Sequence, residues 1–131
     1  MINICENCGK CCIETEMLLS IQDIDLLVNN SVYQLDRDDF ALKNAEGFYQ
    51  LKNIEGHCYF FDVSSKNCNI YEYRPQGCRI YPLIYDFQTE KCTLDKDCPR
   101  ANLFYKKKND FKIFCKRLKI FLKKQLNLTI N

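Results

Sequence analysis

Residues 5–12 read CENCGKCC, four cysteines in eight positions. Both Cys5-x2-Cys8 and Cys8-x2-Cys11 have the spacing that lets a turn bring two sulfurs to one side, so that two thiolates converge on one ion. Gly9 removes a side chain where the backbone must fold tightly and point N–H groups at sulfur. The chain carries 10 cysteines in all, the others at 58, 68, 78, 92, 98 and 115. The first residues, MINICENCGK, hold no apolar stretch suited to a signal peptide, so the expected location is cytoplasmic. Thiols are kept reduced there, and ten of them ask for a metal before disulfides. Adjacent Cys11 and Cys12 cannot easily bridge to each other. In an extended segment their side chains point to opposite sides, which would let them serve different sites.

Zinc sites are usually assembled from two C-x2-C knuckles, and the downstream cysteines offer no second knuckle. C-x2-C-x2-C with a distant cysteine followed by proline, here Cys98-Pro99, is closer to a ferredoxin-type iron–sulfur pattern. An iron–sulfur cluster, [4Fe–4S] in the first place, is therefore the favoured cofactor, with zinc as the alternative. Either centre is anionic when ligated by thiolates. Arg74 and Arg79 flank Cys78 and are candidates to offset that charge at the cofactor, against the plainer reading that they pair with surface acids.

The order C-x2-C-G-x-C-C, followed by C-x9-C-x-I-Y-E-x-R-P-x-x-C-R-x-Y-P, resembles the CxxCxxCC proteins, a family of zinc- or iron-chelating domains with eight cysteines. The resemblance runs from Cys5 to about Ala101 and places Tyr71-Glu72, Arg74-Pro75 and Cys78-Arg79 in register. It implies metal ligation by Cys5, Cys8, Cys11, Cys12, Cys58, Cys68, Cys78 and Cys98. One division joins Cys5, Cys8 and Cys11 to one remote cysteine. Cys92 and Cys115 fall outside the pattern and read as small core residues. Flagellin lysine methylases carry a similar cysteine motif, so the resemblance also leaves open a protein-modifying enzyme. No glycine-rich cofactor loop accompanies it. The lone histidine, His57, reads as a half-buried strand residue rather than a ligand.

These residues need elements to hold them. Hydrophobic residues make up 47% of the 131-residue chain and charged residues 27%, which suits one small globular domain. Ser20 with Asp23 reads as a capping-box variant opening a helix over about residues 21–30. A second short helix is expected within SVYQLDRDDFAL. A hairpin is expected from GFYQLK and HCYFFD around NIEG. Residues 68–82 read as irregular with one helical turn. LIYDF and EKCTL read as another strand pair around FQTE. Phe111, Phe114, Cys115, Leu118, Phe121, Leu122 and Gln125 recur at helical spacing behind Asn109 as a plausible cap, so a helix is expected over 109–126. The fold class is thus α+β, a small single domain of short helices and β-hairpins organised around cysteine-ligated metal, plus a C-terminal amphipathic helix.

Charge divides the chain. Residues 1–103 carry 10 Lys and Arg against 16 Asp and Glu, whereas residues 104–131 carry 9 against 1. The expected organisation is a cysteine-rich metal-binding part, 1–103, with a basic amphipathic helix, 104–131, packed on it. The lysine face of that helix is the candidate surface for a protein partner, and its apolar stripe for a homodimer. No RNA- or DNA-binding pattern accompanies it, which leaves nucleic acid a weak alternative. No apolar run approaches the ~20 residues needed to cross a bilayer, so no membrane association is expected. The functional expectation is a metal-binding protein with an electron-transfer or cluster-related role. The alternatives are a zinc-stabilised interaction module and the protein-modifying enzyme.

Overall fold

The computed structural model describes residues 8–130; Cys5 lies outside them. Gly9 sits in the left-handed region at φ 61° and leads into a 3-10 turn, Lys10–Cys12. A Cβ at position 9 would collide with the Phe61 ring. Glycine is therefore required twice over, by conformation and by space. Gly9→Ala is expected to destabilise the protein by roughly 1–3 kcal/mol, read as a lower Tm.

Ser20 opens helix α1, Ile21–Val28, with a reciprocal capping box. The Ser20 hydroxyl accepts from the Asp23 N–H, and Asp23 Oδ2 accepts from the Ser20 N–H. Both side chains are buried. Asp23 Oδ1 then reaches across the chain to accept from the backbone N–H and the side-chain amide of Gln76. One carboxylate thus caps α1 and anchors a segment 53 residues later. Asp23→Ala would leave buried donors unpaired in both places. The expected cost is roughly 2–4 kcal/mol by denaturant unfolding.

The expected second helix is the short α2, Arg37–Phe40. Strands β1 (Leu18–Leu19), β2 (Ala41–Lys43) and β3 (Tyr49–Leu51) form an antiparallel sheet in the order β1-β3-β2. The hairpin expected from GFYQLK and HCYFFD is narrower than its sequence suggests. Its first half pairs with β1 and β2, and only β4, Asn53–Ile54, pairs with β5, His57–Cys58. Glu55 and Gly56 between them both have positive φ, as a two-residue loop matching strand twist requires. A further hairpin joins β6, Phe61–Asp62, to β7, Asn67–Cys68. Residues 71–80 supply a 3-10 turn, Tyr71–Tyr73, and helix α3, Gln76–Ile80.

The pair expected around FQTE forms as β8, Leu83–Asp86, and β9, Lys91–Leu94. Helix α4, Lys108–Ile120, has Lys107 rather than Asn109 at its N-cap and continues as a π-helical turn, Phe121–Gln125. No side chain caps its start, so the boundary moves by two residues with nothing to hold it at Asn109.

Two apolar clusters result. Leu19, Ile24, Leu27, Phe40, Leu51 and Phe60 lie in the first, with Cys58 buried among them and Cys12, Cys68 and Cys78 packed at its edge. Leu118, Phe121, Leu122 and Leu126 pack with Ile80, Leu83 and Tyr85 in the second. Of the four lysines expected on the outer face, Lys112, Lys116 and Lys123 are exposed and Lys119 is half-buried. Gln125 on the inward face pairs its amide reciprocally with that of Gln76. No helix among the described residues is long and apolar enough to cross a membrane.

Cys92 and Cys115 are not the separate core residues that their positions suggested. They form a disulfide, with Cα atoms 5.9 Å apart. Cys92 lies directly opposite Tyr85, and paired residues share a face. That face carries Tyr85 into the cluster under α4, where Cys115 also lies.

Candidate metal centre

Hydrogen bonds at Ile13–Thr15 hold down the segment that follows Cys12. Asn53 accepts from the Thr15 N–H at 3.0 Å and donates to the Thr15 carbonyl at 2.9 Å. The Glu14 N–H donates to the Gly56 carbonyl, and Ile13 bridges His57. The β4–β5 hairpin thus clamps the segment after Cys12 beside Cys58. The β6–β7 hairpin places Cys68 opposite Phe61, whose ring fills the space left by Gly9. Helix α3 supplies Cys78.

Cys11, Cys12, Cys58, Cys68 and Cys78 accordingly line one cavity of about 60 Å³, together with Arg74, Tyr71 and Tyr81. A smaller cavity of about 20 Å³ is lined by Cys8, Cys11 and Cys98, with Tyr81, Pro99 and Arg100. All seven described candidate ligands border one cavity or the other, and Cys11 borders both. Cys12 borders the first alone, and the Cys11–Cys12 pair is not extended as expected: the two lie in the Lys10–Cys12 3-10 turn and both line the larger cavity. Among the described residues, no three His, Cys, Asp or Glu side chains are grouped so that they could hold one metal ion.

The thiols feel one another. Burial, and then the proximity of Cys11, Cys58 and Cys68, push the Cys78 thiol well up. Burial pushes Cys58 up to about 11, and raises Cys68 and Cys98 as well. Each of those three receives an opposing hydrogen bond from the backbone two residues on: Phe60 for Cys58, Ile70 for Cys68 and Arg100 for Cys98. The Cys12 thiol hydrogen-bonds Cys11, which lowers Cys11 to about 7 and raises its donor. A crowded set of thiols resists losing several protons at once, and a bound cation removes that resistance. Metal uptake would then release protons.

Arg74 is a positive charge at this wall, which Lys66 also lines. Arg74 lines the larger cavity and stacks over the Tyr71 ring at 3.8 Å, while its Nε donates to the Tyr71 carbonyl. Its charge lowers Cys11, Cys68 and Cys78. Arg79 stands one step back. It donates to the carbonyls of Arg74 and Glu72, which braces the turn that carries Arg74. His57 is half-buried on β5 and packs edge-on against Phe61, as expected of a strand residue.

Two partnerships had no sequence signal, although Tyr81 itself stands in the C-R-x-Y-P motif. Tyr81 lines both cavities and donates to Asp95 Oδ2 at 2.7 Å rather than to sulfur. Thr15 and Asn53, 38 residues apart, form the clamp. Both partnerships are long-range pairs of ordinary polar residues, invisible to spacing.

A family model described as "Putative zinc- or iron-chelating domain" matches residues 4–116. The chain belongs to the CxxCxxCC family. That match includes Cys92 and Cys115, both beyond the cysteine motif itself. Uncharacterized protein MJ0661 of Methanocaldococcus jannaschii is 31% identical over 98 residues, covering 71% of this chain and 51% of that protein. The chain spans about half the length of this curated relative. No solved structure matches it significantly. Membership in the CxxCxxCC family makes zinc or iron chelation the shared property, and the thiol-lined cavities are where this chain has the soft donors for it. The donor chemistry fits a thiolate-ligated metal.

Proposed function

We propose that this protein binds an iron–sulfur cluster and works in electron transfer or in cluster handling. The observation that carries the reading is the wall of five cysteines around a cavity of about 60 Å³. One water needs roughly 10–15 Å³ by a comparable measure, so the space exceeds the demand of a single ion and suits a group of several atoms. Cys12, Cys58, Cys68 and Cys78 would hold the cluster, which supplies one-electron chemistry when bound. The second cavity would draw on Cys8, Cys11 and Cys98, with Cys5 as the fourth thiol.

The protein's own part is electrostatic. Backbone N–H bonds to sulfur and the charge of Arg74 stabilise thiolate, and both are levers on reduction potential. Arg79 would act through Arg74. Tyr71 and Leu51 in the wall would limit the access of water to the cluster.

Anaerobic purification followed by iron, zinc and acid-labile sulfide analysis tests this. Brown protein with iron and sulfide in comparable amounts is the expected result. Colourless, zinc-loaded protein without sulfide would overturn it in favour of a zinc-stabilised interaction module.

A further inference from the structure

Cys78 is carried by helix α3, whereas Cys98 lies on neither helix nor strand. It sits in the stretch of turns between β9 and the 3-10 turn Ala101–Leu103. Lys96, Asp97 and Pro99 beside it are exposed, so packing fixes this loop weakly and hydrogen bonds decide where its thiol points. Four of them meet at Asp95. Its N–H donates to the Pro82 carbonyl at 2.7 Å, and its carbonyl accepts from the Cys98 N–H at 3.3 Å. Its Oδ1 accepts from the Asp97 N–H at 3.0 Å, and its Oδ2 from the Tyr81 hydroxyl at 2.7 Å.

Of these four bonds, only the one from Tyr81 is made by a side chain outside the loop. Tyr81 ends α3, where its N–H donates to the Gly77 carbonyl, three residues after Cys78. It lines both thiol cavities, and Cys8, Cys11 and Cys98 share the smaller one with it. The hydroxyl has a single proton, and that proton goes to a carboxylate rather than to sulfur. Such a charge-assisted bond is about twice as strong as a neutral one. The loop of Cys98 is thereby tied to the helix that carries Cys78.

We propose that the hydrogen bond from Tyr81 to Asp95 is the latch that presents Cys98 to a metal in the smaller cavity, which makes Tyr81 a positioning residue of that site. The inference rests on the reading of the smaller cavity as a thiolate site that Cys98 helps to close. It does not depend on which metal is bound there.

Alkylation of the metal-loaded protein by iodoacetamide, followed cysteine by cysteine with mass spectrometry, provides the test. A sulfur bound to metal is a poor nucleophile, so the labelling rate reports ligation at each position. Removing a group that orients a ligand typically costs 10–100-fold in metal affinity, so Cys98 in Tyr81→Phe should be labelled about tenfold faster or more. The ring remains in that variant, and Cys58, Cys68 and Cys78 should keep their wild-type protection. Asp95→Ala should likewise release Cys98. Adding Tyr81→Phe to Asp95→Ala should change nothing further, because one bond cannot be lost twice. Unchanged Cys98 labelling in Tyr81→Phe would overturn the proposal and leave the smaller site standing. A rise at all the cysteines together would also overturn it, since that pattern is loss of fold rather than release of one ligand. Wild-type Cys98 labelled as fast as in the denatured protein would overturn the smaller site itself, and the proposal with it.

Discussion

Stripping the metal with a strong chelator under anaerobic conditions is expected to abolish the cooperative thermal transition of this protein. The β4–β5 and β6–β7 hairpins have two-residue strands, too short to stand alone in water. Both carry cysteines of the larger cavity, and Cys58 is buried within the first apolar cluster. Thiolate-ligated structural metals contribute on the order of 10 kcal/mol or more of binding free energy. A small domain's whole stability is roughly 5–15 kcal/mol, so removing the metal removes most of it. Cys78→Ser should act in the same direction by costing the larger cavity a thiol. Cys115→Ser should not lower the metal content, because Cys92 and Cys115 pair with each other and line neither thiol cavity. Verified removal of the metal with an unchanged Tm would count against this account.

Deleting residues 104–131 is expected to unfold the protein rather than merely to strip it of a basic surface. Leu118, Phe121, Leu122 and Leu126 are buried against Ile80, Leu83 and Tyr85. Truncating one buried leucine or phenylalanine to alanine costs roughly 2–5 kcal/mol. Losing four such side chains exceeds what a small domain can spare. The deletion also removes Gln125 from Gln76 and breaks the Cys92–Cys115 link between β9 and α4. Circular dichroism and metal analysis of the shortened chain provide the check. A truncated protein that keeps its Tm and its metal would show α4 to be a separable recognition arm, with the lysine face as its working surface.

Local chemistry was legible wherever a residue's partner lies a few positions away. Ser20 and Asp23 announced α1 because a capping box is built within one turn. The 3.6-residue period of Phe114, Leu118, Phe121 and Leu122 announced α4 and the face it would bury. The β8–β9 pair was readable from two β-prone runs around a turn. Gly9 declared a tight turn, which the structure supplies at φ 61°.

What depended on distant partners was not legible. The GFYQLK run looked like half of a hairpin with HCYFFD, yet its better partners lie in β1 and β2, which β-propensity alone does not name. Cys92 and Cys115 looked like two unrelated core residues. Only the packing of α4 across the β8–β9 hairpin brings them together, since a 23-residue separation carries no local trace of the meeting. Sequence by itself determined the donor chemistry, because thiol type and short spacing are properties of the chain. The tertiary structure alone decided which thiols share a wall, and that Arg74 faces them while Arg79 braces it. Each of those depends on where separate hairpins and helices are clamped, and the clamps are hydrogen bonds such as Thr15 to Asn53 and Asp23 to Gln76 between residues far apart in the chain.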